Sequence, residues 1–472
     1  MQTSNDPLQL PSATMPLAEL LGALSYALDL TEGQPEGHCL RTTWIGTRIG
    51  EMIGLPKEAM TDLYYTLLIK DVGCSSNAAR IAQLYQSDDR AFKHGYKIAG
   101  TGLPSMLSFL LDHTGVGRDL PARFKALATI LTQSKSISTD LIQTRCTRGA
   151  AIARDLRFSE DVARGIRELD EHWNGGGLPN GLQGAEISIY SRIALLSQVI
   201  EVFHFAAGRD AALEEIAARR GKWFDPMLVD AFESVAADPS FWDMLASPNV
   251  EDLVMTLDAA QIDVVVDDDF FDDITRAFGS VVDAKSPYTA GHSDRVCLYA
   301  DQIAETLGME TEERRWLRRA ALLHDVGKLG VSNTILDKPG QLDEGEWEVM
   351  RDHAMYSEKI LSHISAFGRL AFIAAAHHEK LDGTGYPRRL KGDQIPLETR
   401  IITIADFFDA LTADRPYRDA MPIDKALAII ESEVGSSVDP ICYQALCVSV
   451  VPRLRAERFC RTSTVPARAT VG

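Results

Sequence analysis

Five segments of this chain recur in the same order, and that repetition constrains the fold more than any other feature. Gly37-His38-x-x-Arg41 returns as Gly291-His292-x-x-Arg295, and Lys70-Asp71-Val72-Gly73 as His324-Asp325-Val326-Gly327, both 254 residues later. The run from Glu171 to Pro179 returns as Glu379 to Pro387, and Ser191-Arg192-Ile193 as Thr399-Arg400-Ile401, both 208 residues later. Phe224-Asp225-Pro226 matches Val438-Asp439-Pro440 at 214. The offset falls from 254 to 208 between the second and third segments, so the first copy carries about 46 extra residues there. The later rise to 214 means that the first copy lacks about six residues near its end.

Strand signals are sparse. Apolar residues instead fall at three- and four-residue spacing: Leu322, Leu323 and Val326; Ile360, Leu361 and Ile364; Ile401, Ile404, Ala405 and Phe408. That periodicity predicts amphipathic helices. The expected fold class is all-α, built as two tandem helical domains. Residues 1–15, rich in Ser, Pro, Asn and Thr, read as a loose tail. Residues 16–255 form the first copy and 271–452 the second. Between them, 256–270 read as an acidic linker leading into Asp267-Asp268-Asp269. Residues 453–472, with Arg453, Arg455, Arg458, Arg461 and Arg468, read as a basic, frayed tail.

At 472 residues the chain exceeds one core, and its 45% hydrophobic content supports compact domains. A net charge of −19 repels nucleic acid polymers and anionic membranes. An anionic substrate must therefore meet local positive charge, from metal ions or a few arginines. The seven cysteines form no Cys-x-x-Cys and are odd in number, which suits a reduced compartment. No Lys or Arg precedes Arg41, so no signal peptide is read. No apolar run nears the roughly 18–20 residues that span a bilayer. A soluble cytoplasmic protein with no membrane partner is expected.

The second copy holds the chemistry. His292, His324, Asp325, His353, His377, His378 and Asp406 include five of the chain's eleven histidines, most beside apolar helical runs. Imidazole and carboxylate donors suit Fe, Mn, Zn, Co or Ni. Seven donors exceed the needs of one ion, and two ions sharing a bridging aspartate account for the surplus. Adjacent helical residues differ by about 100° in direction, so His377 and His378 need not compete for one position. Such a pair lowers the pKa of a bridging water and clamps a phosphodiester for in-line attack. Lys328 follows Asp325 by three residues and is placed to neutralise charge on phosphoryl oxygens.

These blocks, from Gly291-His292 through His324-Asp325-Val326-Gly327-Lys328, His353 and His377–Pro387 to Ile404–Leu411, resemble the HD-GYP domains, a branch of the HD phosphohydrolase superfamily. The resemblance covers roughly residues 271–440. It implies an all-helical HD-type fold and hydrolysis of cyclic di-GMP to pGpG or GMP at a metal centre, Fe or Mn. By the family pattern, His292, His324, Asp325 and Asp406 hold one metal, and His353, His377 and His378, with bridging Asp325, hold the other. Trimetal members carry an acid one turn before the first histidine; here Tyr288 stands there, which points to two ions. Asp325 and Lys328 are the expected catalytic residues. Lys328, Asp409, Arg415, Arg418 and Tyr386 are expected at the substrate, and Asp409, one turn beyond Asp406, is placed to orient either a ligand or the substrate. Diguanylate cyclase (GGDEF) proteins are implied partners of the Gly-Tyr-Pro loop.

At the ligand positions the first copy reads His38, Lys70, Asp71, Arg145, Leu169, Asp170 and Gln198. That set cannot hold two metals, so the first copy is expected to be catalytically dead, serving in dimerisation to a homodimer, in sensing, or in holding the active copy. Lys70 or Arg145 is expected to pair with Asp71 in place of a metal. Competing readings keep the metals but change the substrate to another cyclic dinucleotide or a nucleotide phosphate, or make the tandem a non-catalytic nucleotide- or partner-binding scaffold.

Overall fold

The structure is a computed structural model, and it describes residues 17–98, 103–115, 120–257, 267–364, 367–414 and 418–463. The helical periodicity is realised throughout, and the described residues form no strand, only isolated bridges. One order of elements runs twice. His38–Met52, Lys57–Ile69, the 3-10 turn Cys74–Asn77, Glu160–Arg167, Ile189–Ala207 and Arg209–Arg219 make the first pass. His292–Thr306, Thr311–Leu323, Val326–Gly330, Gly368–Ala375, Leu397–Thr412 and Ile423–Ser432 make the second. No helix among the described residues is long and apolar enough to cross a membrane.

Repeated residues perform repeated local work. Helices Pro226–Ala236 and Pro440–Ser463 each begin with proline, whose fixed φ suits a first helical position. Asp225 and Asp439 accept the Met227 and Ile441 amides at 2.9 and 2.7 Å, satisfying donors that the helix leaves free. Arg192 and Arg400 pin those same carboxylates at 2.7 and 2.9 Å. A Cβ on Gly327 would lie 1.9 Å from the His353 carbonyl, and one on Gly73 would lie 2.0 Å from the Arg145 carbonyl. Only glycine lets the His-Asp turn press on the next helix so closely.

The extra residues of the first copy fold as helices Ala78–Tyr85, Asp89–Ile98 and Leu103–His113 and the start of Leu120–Asp155. They bury a small core of their own around Ile81, Phe92, Phe109 and Ile130. The main core is continuous across both copies, taking Leu24, Leu68 and Ile200 from the first and Val281, Ile303 and Phe408 from the second. The insertion also reaches the second copy directly. Asp89 accepts the Asn333 amide at 2.8 Å and the Ser332 hydroxyl at 3.2 Å, and Arg90 donates to the Gly330 carbonyl at 2.5 Å.

Two expected boundaries move. The acidic run is not wholly linker: Asp267 accepts the Phe270 amide at 2.8 Å and caps helix Asp268–Asp283. Asp268, Asp269 and Asp272 then pair with Arg315 and Arg319, so these acids hold two helices together. At the other end, helix Pro440–Ser463 continues through Arg453 and Arg455, which pair with Glu305 and Asp424. The expected tail 1–15, and residues 258–266 and 464–472, lie outside the described residues.

Candidate metal centre

Five elements deliver the seven expected ligands. His292 opens helix His292–Thr306 after Gly291, whose φ of 67° turns the chain into it. His324 and Asp325 end helix Thr311–Leu323, and His353 lies within Glu344–Ser362. His377 and His378 follow Gly368–Ala375, and Asp406 lies within Leu397–Thr412. Donor atoms of His353, His377 and His378 fall within 4.8 Å of one another, as do those of His292, His324 and Asp406, and those of His324, Asp325 and His377.

The rings are turned the right way. His324, His353 and His377 donate from Nδ1 to the carbonyls of Ala321, Met350 and Ala374, at 2.7, 2.5 and 2.6 Å. His292 donates from Nδ1 to Asp409 at 2.7 Å. Each bond occupies Nδ1 and turns Nε2 inward, the arrangement that orients metal-bound imidazoles. Asp325 divides between two groups. Its Oδ2 lies 3.4 and 3.3 Å from Nε2 of His292 and His324, while Oδ1 lies 3.7 Å from Nε2 of both His353 and His377. The buried Nε2 atoms of His292 and His324 and Oδ1 of Asp325 have no directed hydrogen bond, and Nε2 of His353 and His377 face each other at 3.4 Å. Buried polar atoms left so are costly unless something bridges them. A pair of divalent cations with Asp325 between them fits this donor set.

Charge agrees with that fit. Burial, reinforced by neighbouring imidazoles, drives His377 down to about 3 and His378 well below the usual range, so both are neutral donors at neutral pH. Burial opposes charge on Asp325, but His324 and Lys328 beside it hold its carboxyl far below the ordinary carboxylate value. Burial likewise opposes charge on His292, yet Asp325, Asp409 and Asp406 raise it to about 9. A proton there answers the same negative field that a cation would.

The HD domain family model matches residues 113–228 and 277–441, which take in nearly all of the second copy and the later part of the first. The chain belongs to the HD domain family. It is 54% identical over 433 residues to 3'3'-cGAMP-specific phosphodiesterase 3 of Vibrio cholerae, covering 92% of this chain and 94% of that one. A crystal structure of a Vibrio cholerae cyclic GMP-AMP specific phosphodiesterase superposes with a TM-score of 0.64 at 49% identity, covering 92% and 97% of the two chains. A cyclic di-GMP phosphodiesterase of Thermotoga maritima is 37% identical over 182 residues, 38% of this chain and 49% of that one.

Around this HD-domain centre lies a cavity of about 1300 Å³. Lys328 and Tyr386 line it; Lys328 donates to Asp325 at 2.5 Å and the Tyr386 ring lies 4.8 Å from the His378 ring. Arg418 also lines it, but its guanidinium donates to the carbonyls of Ala410, Leu411 and Asp419, which commits it to bracing the loop. Asp409 is not among the residues lining this cavity: it is buried behind His292 and bound by Arg295 at 2.6 and 3.0 Å, so it is placed to orient that ring. Arg415 lies outside the described residues. The sequence reading missed Arg295, although Gly-His-x-x-Arg recurs in both copies.

In the first copy the frame persists, but of the donors only His38 and Asp71 remain. His38 pairs with Glu201, which Arg41 grips at 2.7 Å, repeating the His292–Asp409–Arg295 relay. Lys70 pairs with Asp71, and its Nζ lies 3.2 Å from His38 Nε2. Arg145 pairs with Asp170 rather than Asp71, at the positions of His353 and His378. Ammonium and guanidinium thus stand where the second copy gathers donors.

Proposed function

We propose that this protein is a metal-dependent phosphodiesterase that opens cyclic dinucleotides, with 3'3'-cGAMP preferred over cyclic di-GMP. The observation that carries the chemistry is Asp325, whose two oxygens face two separate clusters of inward imidazole nitrogens. The ranking of substrates departs from the expectation of cyclic di-GMP. Its support is that the relative named for cyclic GMP-AMP matches both copies, whereas the Thermotoga relative matches 38% of the chain.

Two divalent cations, Fe or Mn, held by the seven donors would supply Lewis-acid charge at the phosphate and a nucleophilic water at neutral pH. The protein's own groups set the geometry. Arg295 and Asp409 hold His292 in one tautomer. Lys328, anchored on Asp325, carries positive charge to the cavity wall, where it offsets charge gathering on a phosphoryl oxygen. Breaking one of the two phosphodiester links leaves a linear dinucleotide. The first copy holds no metal in this reading and supports the second through the Asp89 and Arg90 contacts.

The test is anaerobic turnover by the full chain with added Fe or Mn, using 3'3'-cGAMP and cyclic di-GMP and resolving products by chromatography. A higher kcat/KM on 3'3'-cGAMP is expected. Equal or higher kcat/KM on cyclic di-GMP overturns the preference, and turnover of neither overturns the function.

A further inference from the structure

We propose that Trp347 and Arg351 form a purine platform at the mouth of the metal-centre cavity, where a base stacks on the Trp347 indole and Arg351 reads the O6/N7 edge of a guanine. The proposal rests on the cyclic dinucleotide reading above and names the base-recognition part of the same site.

Trp347 and Arg351 stand four residues apart on helix Glu344–Ser362, hence on one face, and both line the cavity together with His353 on the same helix. Trp347 is 44% exposed, although indoles are mostly buried in folded chains. The Arg351 guanidinium lies 5.9 Å from the Trp347 ring and 6.0 Å from the Tyr386 ring. Its contacts there are with the two rings and not with an acid, which leaves its N–H donors for a ligand. Three other cations of the cavity are engaged, Lys328 on Asp325, Lys338 on Glu346 and Arg418 on three backbone carbonyls, and what sets Arg351 apart from Lys380 and Arg389 is its place beside the Trp347 and Tyr386 rings. Tyr386 ties the platform to the metal cradle, with its ring 4.8 Å from His378 and 6.4 Å from His353.

The chemistry assigns separate roles. Any purine stacks on an indole, so Trp347 supplies affinity without choosing a base. Guanine offers two acceptors, O6 and N7, to a guanidinium fork, while adenine opposes the fork with its N6 donor. Arg351 therefore favours a guanine on the platform. At the matching positions, 208 residues earlier, the first copy has Thr139 and Gln143, so the platform is missing where the metal donors are missing.

The experiment compares the Mn-loaded full chain with Trp347→Ala, Trp347→Phe and Arg351→Met on 3'3'-cGAMP, cyclic di-GMP, cyclic di-AMP and bis(p-nitrophenyl) phosphate, which has no base. Trp347→Ala is expected to raise KM for the guanine-containing cyclic dinucleotides roughly 5- to 140-fold, Trp347→Phe to regain most of that, and both to leave bis(p-nitrophenyl) phosphate cleavage unchanged. Arg351→Met should lower kcat/KM roughly 5- to 140-fold on the guanine-containing substrates and leave cyclic di-AMP where it was. Normal turnover of 3'3'-cGAMP that neither Trp347→Ala nor Arg351→Met alters overturns the platform alone, as does an equal loss by Arg351→Met on all three dinucleotides. Cleavage of bis(p-nitrophenyl) phosphate by a wild-type protein that opens no cyclic dinucleotide overturns the substrate reading and the platform together.

Discussion

His292 donates its Nδ1 proton to Asp409 across 2.7 Å, and Glu201 takes the place of Asp409 beside His38 in the first copy. One relay thus serves a ligand in the second copy and survives in a copy that has lost most of its ligands. An acid of either length can hold the ring, because Arg295 or Arg41 fixes the carboxylate from the other side.

Asp409→Ala should therefore weaken metal binding and turnover by roughly 10–100-fold, since the ring of His292 loses its orienting acceptor. Glu201→Ala should leave metal affinity unchanged. Metal titration of both variants, monitored by turnover, checks the contrast. Equal effects would show that the relay is only structural.

Lys70 is the direct ion-pair partner of the buried Asp71, with Lys97 adding positive charge from farther off. Lys70→Ala should destabilise the protein by about 3–5 kcal/mol in chemical unfolding. Metal content per folded chain should not change. A variant as stable as the parent would mean that the ammonium does not compensate Asp71.

Asp89 belongs to the first copy, yet it accepts bonds from Ser332 and Asn333, just beyond the turn that carries Lys328. Asp89→Ala should cost about 3 kcal/mol of stability and lower kcat, because the Lys328 segment loses its anchor. Turnover at saturating metal, measured well below the melting temperature, separates the two effects. Unchanged kcat would disconnect the insertion from the active copy.

Lys285 gives a pH signature. Burial pushes it down to about 8 from an ordinary 10.5; Asp89 and Asp88 partly offset this, while Lys93 and Arg90 add to it. Between those values the unfolded chain binds the proton and the folded chain does not, so stability should rise with pH across that window. Below about 8 the amine is charged in both states and the whole cost of burying it is present. Denaturation midpoints of Lys285→Met should lack that rise. A slope equal to the parent's would rule out Lys285 as its source.

Much of the candidate site was legible because its residues come as adjacent pairs and fixed-offset repeats: His324-Asp325, His377-His378, Gly-His-x-x-Arg. The helices were legible from apolar spacing. What escaped is non-local. Asp89 reaches the second copy only because the extra residues fold as helices against it, and nothing in its neighbourhood in sequence says so. Asp409, one turn from Asp406, was open to orienting either a ligand or the substrate, and the packing of its helix on His292–Thr306 sets it against the ligand His292. The retained acid at 201, set against 409 with the same arginine motif, was the available sign of that role. Asp267 looked like linker because capping uses the same short acids as a solvated run.

Metal stoichiometry of the full chain tests the central claim most directly. Elemental analysis after Mn loading should give two ions per chain, and Asp325→Ala, which removes the carboxylate facing both clusters, should lose both ions together with turnover. Two ions and undiminished turnover in Asp325→Ala would contradict the account.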